Sequence, residues 1–474
     1  MKVRFVTLGC KLNFAESSAL GKELLLRGHQ RASLNEVPDV CVVNTCSVTD
    51  AADHKDRQTI NQLHRKYPNA IIIVTGCYAQ LQPQQIAQIE GVDYVLGQEE
   101  KYDIPKLVAT LESDAAKAAI GRAEPYGVLD ATLLGEEEMR RESERVRVGA
   151  IREVEEFHGV HSADDRTRCF IKVQDGCNYF CTYCTIPYAR GKSRNPKIED
   201  VVKDAQEALK QGAKELIITG VNIGDFGRST GETFLELLRA LDGLEDTANA
   251  AMGRAKPYGI LDATLLGDEA IRREARGMDY RVRISSCEPN LLTDEIIDFV
   301  AQSKHFAPHF HIPLQSGSNE VLKIMKRRYT RELFAERVQH IREVIPHAFI
   351  GVDCMVGVRG ETEAYWEDYL AFIKGLDVSQ LHVFTYSERA NTKMLEMDLY
   401  VVPKKERQRR SKILHEVSEE KTKAFYAQHA GRKAVVLWEA KKEGDQMSGF
   451  TDNYIKVYGP YDRAKINTFE EIML

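Results

Sequence analysis

Three cysteines in a short polar segment have the spacing of ligands to an iron–sulfur cluster. Cys177, Cys181 and Cys184 form a CxxxCxxC pattern directly after a strand-like run at 168–174. A 4Fe-4S cluster needs four ligands, so three thiolates leave one iron open for a substrate or cofactor. The pattern therefore predicts a cluster that takes part in chemistry.

A zinc site and three unrelated buried thiols are the alternatives for this trio. Zinc sites usually combine two CxxC-type pairs or add a fourth His or Cys ligand. No second pair follows nearby, and the run 176–184 is polar and loop-like, which disfavours accidental burial. A cluster is the interpretation that these residues favour.

A second trio of cysteines follows a repeated strand-to-helix pattern near the amino terminus. Cys10, Cys46 and Cys77 each come between a predicted strand and a helical stretch. The strands are predicted at 1–7, 39–44 and 70–74, with a fourth at 92–96. Such alternation predicts a parallel sheet whose carboxyl ends share one edge, where the three thiols would converge on a second cluster. Gly9 and Gly76 would let the backbone approach that cluster closely.

The composition points to a cytoplasmic globular protein of several domains. The chain has 474 residues, is 43% hydrophobic and 29% charged, and carries a net charge of −6. It starts without an apolar leader, and we expect no membrane span and no disulfides. The remaining apolar-flanked cysteines are predicted to be ordinary buried residues, namely Cys41, Cys169, Cys287 and Cys354.

The middle of the chain has the pattern of a partial (β/α) barrel of six units. Helical segments lie between most of the predicted strands, and polar or glycine-bearing loops follow them. In such folds the loops at the carboxyl ends of the strands build the active site. The strands are predicted at 169–174, 215–219, 280–285, 309–311, 349–354 and 380–384.

The CxxxCxxC pattern at the start of this barrel is similar to the signature of radical S-adenosylmethionine (SAM) enzymes. In that superfamily SAM chelates the open iron, and an electron from the cluster cleaves it to a 5′-deoxyadenosyl radical. Polar side chains in the barrel loops suit SAM. Thr219, Asn222, Ser286 and Glu288 can bond its amino group or ribose, and Gln315 its carboxylate or ribose.

Two features near the carboxyl terminus suggest contact with RNA. The run 404–412 has six basic residues against one acid, and its candidate phosphate contacts are Lys404, Lys405, Arg407, Arg409 and Arg410. Residues 431–474 resemble a small β-barrel, with strands predicted at 433–437, 454–457 and 464–467. Phe450, Tyr454 and Trp438 are available there for stacking. The alternative for the basic run is a solvated helix face. The alternative for residues 431–474 is a purely structural barrel, since they hold seven basic and seven acidic residues.

In this order the motifs resemble the methylthiotransferases of the radical SAM superfamily over nearly the whole chain. The resemblance rests on Leu8-Gly9-Cys10, Asn44-Thr45-Cys46 and Thr75-Gly76-Cys77, then on the CxxxCxxC barrel, and last on 449–454, which are similar to a TRAM domain. It implies an α/β multidomain protein with a parallel amino-terminal domain, a partial (β/α)6 barrel and a small TRAM β-barrel. The expected units are 1–118, a linker at 119–164, the barrel at 165–400, a basic helical connector at 401–430 and the TRAM-like unit at 431–474.

The family resemblance also implies a reaction. The segments 7–13 and 175–191 look most like the branch that modifies N6-threonylcarbamoyladenosine next to the tRNA anticodon. There the SAM cluster would generate the radical that abstracts hydrogen from C2 of the adenine. The cluster at the first trio would deliver sulfur, and a second SAM would methylate it. The implied cofactors are two 4Fe-4S clusters and SAM, and the partners are a tRNA anticodon stem-loop and a reducing electron donor, with the enzyme a monomer.

Other functions remain open from the sequence. Sister branches of the family act on N6-isopentenyladenosine in tRNA or on an aspartate of a ribosomal protein. A non-catalytic iron–sulfur protein that binds RNA is the alternative from a different class, although it would not need loops that suit SAM.

The chain departs from the family pattern in two loops and carries an internal repeat. Arg359 and Ala390 stand where turn-forming prolines are typical, which is expected to loosen loops near the SAM and substrate sites. Residues 121–142 recur at 253–274 with 17 of 22 positions identical, so the second copy falls within about 250–275 of the barrel. Two copies are too few for a solenoid, and we interpret them as peripheral insertions, with partner binding or tRNA clamping as the alternative.

Overall fold

Strands and helices alternate along the first 112 residues and form a parallel sheet. The computed structural model describes residues 1–33, 35–112, 145–162, 167–244 and 280–474. Both copies of the repeat, at 121–142 and 253–274, therefore lie outside the described residues. The amino-terminal strands are β1 (Lys2–Thr7), β2 (Gln30–Arg31), β3 (Val40–Thr45), β4 (Ile71–Gly76), β5 (Tyr94–Leu96) and β6 (Val146–Arg147).

All neighbours in this six-stranded sheet are parallel, in the order β2-β1-β3-β4-β5-β6. β-Branched runs such as Ile71–Gly76 form its centre because such side chains pack well on a pleated surface that is buried on both faces. Strand β6 comes after residue 118 and pairs with β5, so the sheet continues into the segment expected to be a linker.

Helices cover this sheet and follow its strands. They are α1 (Lys11–Leu26), α2 (Asp50–Lys66), α3 (Cys77–Leu81), α4 (Pro83–Ala87) and α5 (Ile104–Glu112). The Thr49 side chain caps α2 by accepting from the Ala52 N–H, which satisfies one of the free donors at the helix start. Helix α1 also packs outward, because Ala15 shares an apolar cluster with Phe170 and Ile217 of the barrel.

Six parallel strands form the barrel as two three-stranded halves. They are β7 (Arg168–Lys172), β8 (Glu215–Thr219), β9 (Arg281–Ile284), β10 (His309–Gln315), β11 (Phe349–Val356) and β12 (Gln380–Thr385). A parallel bridge between Ser286 and His311 connects the halves. The intervening helices are α6 (Ile186–Arg190), α7 (Ile198–Lys210), α8 (Phe234–Asp242), α9 (Asp294–Gln302), α10 (Asn319–Ile324), α11 (Arg331–Val344) and α12 (Glu363–Gly375).

Alternation along the strands places apolar residues under the helices and polar residues inside the barrel. On β9, Val282 and Ile284 join the main apolar core, whereas Arg281 and Arg283 pair with Glu215 of β8. The partial barrel and the parallel α/β architecture expected from the sequence are confirmed. So is the burial of Cys41, Cys169, Cys287 and Cys354.

The carboxyl-terminal unit is a long helix followed by a four-stranded antiparallel sheet. The helix is α13 (Lys404–His429), and the strands are β13 (Lys433–Glu443), β14 (Gln446–Thr451), β15 (Lys456–Pro460) and β16 (Phe469–Met473), in the order β15-β14-β13-β16. A strand predicted at 464–467 is instead a short helical turn, which the Asp462 side chain begins by accepting from the Ala464 N–H. Among the described residues, no helix is long and apolar enough to cross a membrane.

Candidate metal centres and cofactor site

The first cysteine trio lies at one edge of the amino-terminal sheet. Cys10 precedes α1, Cys46 follows β3, and Cys77 begins α3. Strands β1, β3 and β4 are adjacent, so their carboxyl ends bring the three loops together, as the strand pattern predicts.

Two glycines with positive φ allow these loops to approach each other. Gly9 has φ 98°, and a Cβ there would lie 2.6 Å from the Cys46 Cβ. Gly76 has φ 99°, and a Cβ there would overlap the Thr45 carbonyl. Only glycine combines this backbone conformation with so little space. The sequence prediction assigned these glycines to cluster approach, and the structure shows them packed between the loops.

An asparagine joins the loops of Cys10 and Cys46. The Asn13 amide nitrogen donates to the Leu8 carbonyl and to the Thr45 carbonyl, both at 2.9 Å. On the other side of the trio, the Gln98 amide donates to the Cys77 sulfur at 3.4 Å. Each loop is therefore held by side-chain hydrogen bonds as well as by the sheet.

The thiols of this trio influence one another. Burial, and after it the neighbouring Cys77 and Cys10, raise the pKa of Cys46 to about 12. Burial also raises the pKa of Cys77. The buried thiols of Cys46 and Cys77 are unfavourable as bare anions, whereas a bound metal would deprotonate and neutralise them. The donor set therefore fits a metal centre of the iron–sulfur kind.

The second trio occupies the loop between β7 and α6. Gly176 begins this loop with φ 69°, and a Cβ there would overlap the Lys192 carbonyl. The Cys177 N–H donates to the Gly191 carbonyl at 3.1 Å. Phe180 has φ 50°, which is a strained conformation for a residue of this type, and its side chain is exposed. Close backbone contacts and two positive φ angles therefore give the loop that carries the three cysteines a compact conformation.

Hydrogen bonds reach all three sulfurs of the second trio. The Tyr179 N–H donates to Cys177 and the Ile186 N–H to Cys184, both at 3.4 Å. The Arg327 guanidinium donates to the Cys181 sulfur at 3.2 Å. Hydrogen-bond donors around cluster sulfurs are one way in which proteins adjust the reduction potential of iron–sulfur sites.

Burial dominates the electrostatics of the second trio. It raises the pKa of Cys177 to about 11, and the same cause raises the pKa of Cys184. As at the first trio, the thiols need a metal to lose their protons near neutral pH. Arg327 offers the nearby positive charge and was not predicted from the sequence, where its only signal is the basic run Lys326-Arg327-Arg328.

The residues predicted to bind SAM lie at the carboxyl ends of the barrel strands. Thr219 ends β8, Gln315 ends β10 with φ 65°, and Ser286 follows β9. Asn222 is buried, and neither of its polar side-chain atoms has a hydrogen bond of good geometry among the described residues, although it lies beside the Tyr179 hydroxyl. Unpartnered buried amides are costly unless a ligand satisfies them, so this position fits a polar cofactor.

Two further contacts organise this end of the barrel. Glu288 forms a close ion pair with Arg327, which also contacts Cys181, so the carboxylate is oriented by a cation at the cluster loop. Gln174 was missed by sequence analysis. The side-chain oxygen of Gln174 accepts from the backbone N–H of Asn222 at 2.8 Å, and its side-chain NH2 group donates to the Gly176 carbonyl at 2.7 Å. It thereby joins the cysteine loop to the loop after β8.

The structure separates the basic residues of helix α13 into two groups. Arg410 is only 1% exposed and pairs with Glu361, Glu363 and Glu406. Arg407 is also buried and pairs with Glu388. These two arginines hold the helix to the barrel, so in this conformation the prediction that they face phosphates is wrong.

Three predicted phosphate contacts remain on the surface. Lys404 and Lys405 are exposed at the start of the helix. Arg409 is partly exposed, but it pairs with Glu363 at 2.8 Å and also contacts Glu406. The sequence pattern gave the correct helix but not the direction of each side chain.

Two of the aromatic residues predicted to stack on RNA, Phe450 and Tyr454, instead pack between the carboxyl-terminal sheet and the barrel, and Trp438 packs within the carboxyl-terminal unit. Phe450 stacks on Tyr454 at 4.8 Å between ring centroids, and Arg168 lies 4.8 Å over the Phe450 ring. Arg283 lies 4.9 Å over Tyr454. Trp438 is buried and donates from its indole nitrogen to a glutamate. Their ring faces are occupied within the protein.

The two loops that depart from the family pattern are both anchored. Asn391 has φ 64°, a conformation that asparagine tolerates better than most residues, and it follows the buried Arg389. In the other loop, the buried Glu361 accepts from the Gly357 N–H at 3.0 Å and from Arg410 at 2.6 Å. The loosening expected from the missing prolines is therefore not seen in either loop.

Comparisons with known proteins agree with this arrangement. A family model described as the Radical SAM superfamily matches residues 171–373, and one described as uncharacterized protein family UPF0004 matches residues 2–97. The chain is 34% identical to the threonylcarbamoyladenosine tRNA methylthiotransferase MtaB of Bacillus subtilis (strain 168), over 96% of this chain and 89% of that relative. The MtaB of Aquifex aeolicus (strain VF5) is 33% identical over 96% of both chains.

A solved structure shares the fold at low sequence identity. It is the radical SAM methyltransferase TsrM from Kitasatospora setae, determined with a tryptophan substrate and a SAM analog. The match has a TM-score of 0.52 and 17% identity, and it covers 80% of this chain and 72% of that one. At this identity the likeness shows the fold alone.

Proposed function

Because the chain belongs to the radical SAM methylthiotransferase family, we propose that it converts N6-threonylcarbamoyladenosine next to the tRNA anticodon to the 2-methylthio derivative. The observation that carries the proposal is the presence of two converging cysteine trios in one chain, one at the edge of the amino-terminal sheet and one at the carboxyl ends of the barrel strands. The activity in the names of both relatives favours this nucleoside over the substrates of the sister branches.

The family uses two 4Fe-4S clusters and SAM. We assign Cys177, Cys181 and Cys184 to the cluster that binds SAM, and the first trio to the second cluster. When bound, these cofactors supply reductive cleavage of SAM, sulfur at an iron and a methyl group. With three protein ligands at each centre, a bound 4Fe-4S cluster would have one iron position free for SAM or for sulfur.

The barrel loops contribute binding and orientation. Neither polar side-chain atom of Asn222 has a hydrogen bond of good geometry, and the side-chain oxygen of Gln315 is also buried without a partner among the described residues. We propose that these groups hydrogen-bond SAM, together with Thr219 and Ser286. Glu288 is fixed by Arg327, so it would offer its remaining acceptor capacity to the amino group or ribose of SAM.

No general base among the protein side chains is assigned. The second cluster would supply a sulfur that is already nucleophilic, so the residues around it would orient the methyl donor and would not need to remove a proton. The chain's own part is to hold the two centres, to bind SAM and to admit one base.

The remaining proposals concern partners and setting. The tRNA anticodon stem-loop would contact Lys404 and Lys405, and the carboxyl-terminal sheet is proposed to be a TRAM domain on the basis of its four antiparallel strands.

All ten cysteines are free, which supports a reducing cytoplasmic setting. We propose that a reducing donor delivers the electrons. We expect a monomer, which size-exclusion chromatography would test.

The test is anaerobic turnover of the reconstituted protein with SAM and a reductant. Three substrates are offered separately: tRNA bearing threonylcarbamoyladenosine, tRNA bearing isopentenyladenosine, and ribosomal protein. A methylthio group on threonylcarbamoyladenosine alone supports the proposal. A methylthio group on another substrate keeps the chemistry and changes the branch, and no SAM cleavage at all contradicts the proposal.

A further inference from the structure

Arg190 joins the two cysteine loops through a single buried guanidinium. It ends helix α6, shortly after the second trio, and is 1% exposed. One terminal nitrogen donates to Asn13 at 2.6 Å. The other donates to Glu16 at 3.0 Å and to Asp175 at 3.1 Å. Asn13 and Glu16 belong to the amino-terminal domain, whereas Asp175 belongs to the barrel.

Two of the partners of Arg190, Asn13 and Asp175, are themselves connected to a cysteine loop. The Asn13 amide nitrogen holds the carbonyls of Leu8 and Thr45, which precede Cys10 and Cys46. On the barrel side, the Asp175 carboxylate accepts from the Gly176 N–H at 2.8 Å, one residue before Cys177. The guanidinium therefore lies within one hydrogen bond of residues that shape both loops.

Buried cations outnumber buried anions around this contact. Glu16 and Asp175 are the only two carboxylates of the network among the described residues, and the cations are Lys101, Lys172, Arg190 and Arg194. A network of buried charges that is satisfied on every side has one preferred geometry. The excess positive charge of this network also lies near the two cysteine trios, where thiolates would carry negative charge.

We propose that Arg190 is a positioning residue that sets the distance and orientation between the two metal centres, so that a base activated beside one centre would lie within reach of the sulfur that the other would supply. This inference rests on the proposed function. It predicts that loss of Arg190 leaves cofactor binding and SAM cleavage intact. The defect should appear in the share of SAM cleavage events that lead to methylthiolated tRNA.

A lysine cannot replace Arg190 in this role. Its ammonium is a single point, whereas the planar fork of arginine reaches acceptors on both domains at fixed angles. Arg190→Lys therefore keeps the buried positive charge and removes the geometry. Misplacement by about 1 Å costs about a hundredfold in rate when two groups must meet.

A neighbouring arginine supplies a matched control. Arg194 also pairs with Asp175, at 3.4 Å, and is similarly buried. Its other bonds go to the backbone carbonyls of Glu156, Arg190 and Lys192. Within the described part of the chain it makes no bond to residues 1–112, so Arg194→Lys perturbs the barrel loop without releasing the amino-terminal domain.

The experiment compares the wild type, Arg190→Lys and Arg194→Lys as reconstituted full chains. Three quantities are measured: iron content, the ratio of methylthiolated tRNA to 5′-deoxyadenosine, and the magnetic interaction between the two reduced clusters by electron paramagnetic resonance. We expect Arg190→Lys to keep its iron and to cleave SAM within about twofold of the wild type. Its product ratio should fall about tenfold to a hundredfold, and the interaction between clusters should change. Arg194→Lys should retain the product ratio and the cluster interaction of the wild type.

Several outcomes overturn the inference. An unchanged product ratio and cluster interaction in Arg190→Lys would do so, and so would an equal loss of SAM cleavage and product. If Arg190→Lys loses iron, the milder Glu16→Gln is measured in the same way, and iron loss there too would assign the network to cluster retention. A wild type that cleaves SAM but modifies no RNA refutes the proposed function instead, and the cluster interaction still reports on Arg190.

Discussion

The Arg389 guanidinium donates to the Asp53 carboxylate at 2.6 Å, which joins the loop after the last barrel strand to helix α2 of the amino-terminal domain. The same group donates to the Ser47 hydroxyl at 2.6 Å, one residue after Cys46. Both charged side chains of the pair are largely buried. The two domains therefore meet through charges beside Cys46 of the first trio as well as through apolar packing.

Replacing Arg389 by alanine should loosen this contact. The Asp53 carboxylate would remain buried without its cation, and breaking a buried pair costs about 3 kcal/mol. We expect that loss in the free energy of unfolding by urea, with faster proteolysis between the domains. Arg27→Ala breaks an exposed pair with Glu23 and should cost only about 0.3 kcal/mol. Equal losses in the two variants would contradict this role for Arg389.

Removal of either cysteine trio should remove half of the iron. Triple replacement of Cys10, Cys46 and Cys77 by alanine should leave the barrel cluster and its ability to cleave SAM, because the two trios lie on different elements. Iron analysis after anaerobic reconstitution measures this result. Cys41→Ala serves as control, since Cys41 is buried in strand β3 and should not affect the iron content. Unchanged iron in the triple variant would refute the assignment of the first trio.

Stability should fall in mild acid because His309 is buried as a neutral ring. It packs against Phe349 and Tyr454. Burial lowers the pKa of His309 well below its ordinary value near 6.5. Arg283, Lys11 and His311 lower it further, and Glu215 partly opposes them. The unfolded chain then binds a proton that the folded one does not, so stability is full above about pH 6.5 and falls by about 1.4 kcal/mol per pH unit below it.

Urea unfolding at pH 7.5 and pH 5.5 tests this dependence. His309→Gln should lose about 1.4 kcal/mol less than the wild type between these two values, because it has no ring to protonate. His54→Gln changes an exposed histidine and should behave like the wild type. If His309→Gln and the wild type lose the same free energy, His309 is not the group responsible.

Charge reversal on helix α13 should separate RNA contacts from structural arginines. The double variant Lys404→Glu and Lys405→Glu is expected to fold normally and to bind tRNA more weakly, with the slope of log affinity against log salt reduced by about 2. Arg410→Glu should instead destabilise the fold, because it places a fourth carboxylate beside Glu361, Glu363 and Glu406. Lys203→Glu, on an exposed face of helix α7, is the control. Unchanged tRNA binding in the double variant would remove these lysines from the interface.

The local features of the fold could be predicted from the sequence. Apolar β-branched runs predicted the barrel strands and four of the six strands of the amino-terminal sheet, but not the two-residue strands β2 and β6. The strand-to-helix order placed Cys10, Cys46 and Cys77 at one edge. The strand predicted at 464–467 failed because the Asp462 cap and Asn467, with φ 60°, turn the chain there. Turn chemistry of this kind overrides a short apolar run.

The long-range contacts could not be predicted in the same way. Arg190 and Glu16 are separated by 174 residues, and neither stands out from its neighbours in sequence. Arg407 and Arg410 belong to a run that reads as a basic stripe, yet helical spacing turns them toward acids of the barrel. Burial and partner choice depend on tertiary packing, which a local pattern does not contain.

The most direct test of the central claim is mass spectrometry of tRNA bearing threonylcarbamoyladenosine after anaerobic incubation with SAM and reductant. The wild type and the variant lacking Cys10, Cys46 and Cys77 are compared in parallel. We expect 5′-deoxyadenosine from both, and a 2-methylthio product from the wild type alone. A methylthio product from the variant, or none from a wild type that carries both clusters and cleaves SAM, would contradict the claim that the two trios together perform methylthiolation of this base.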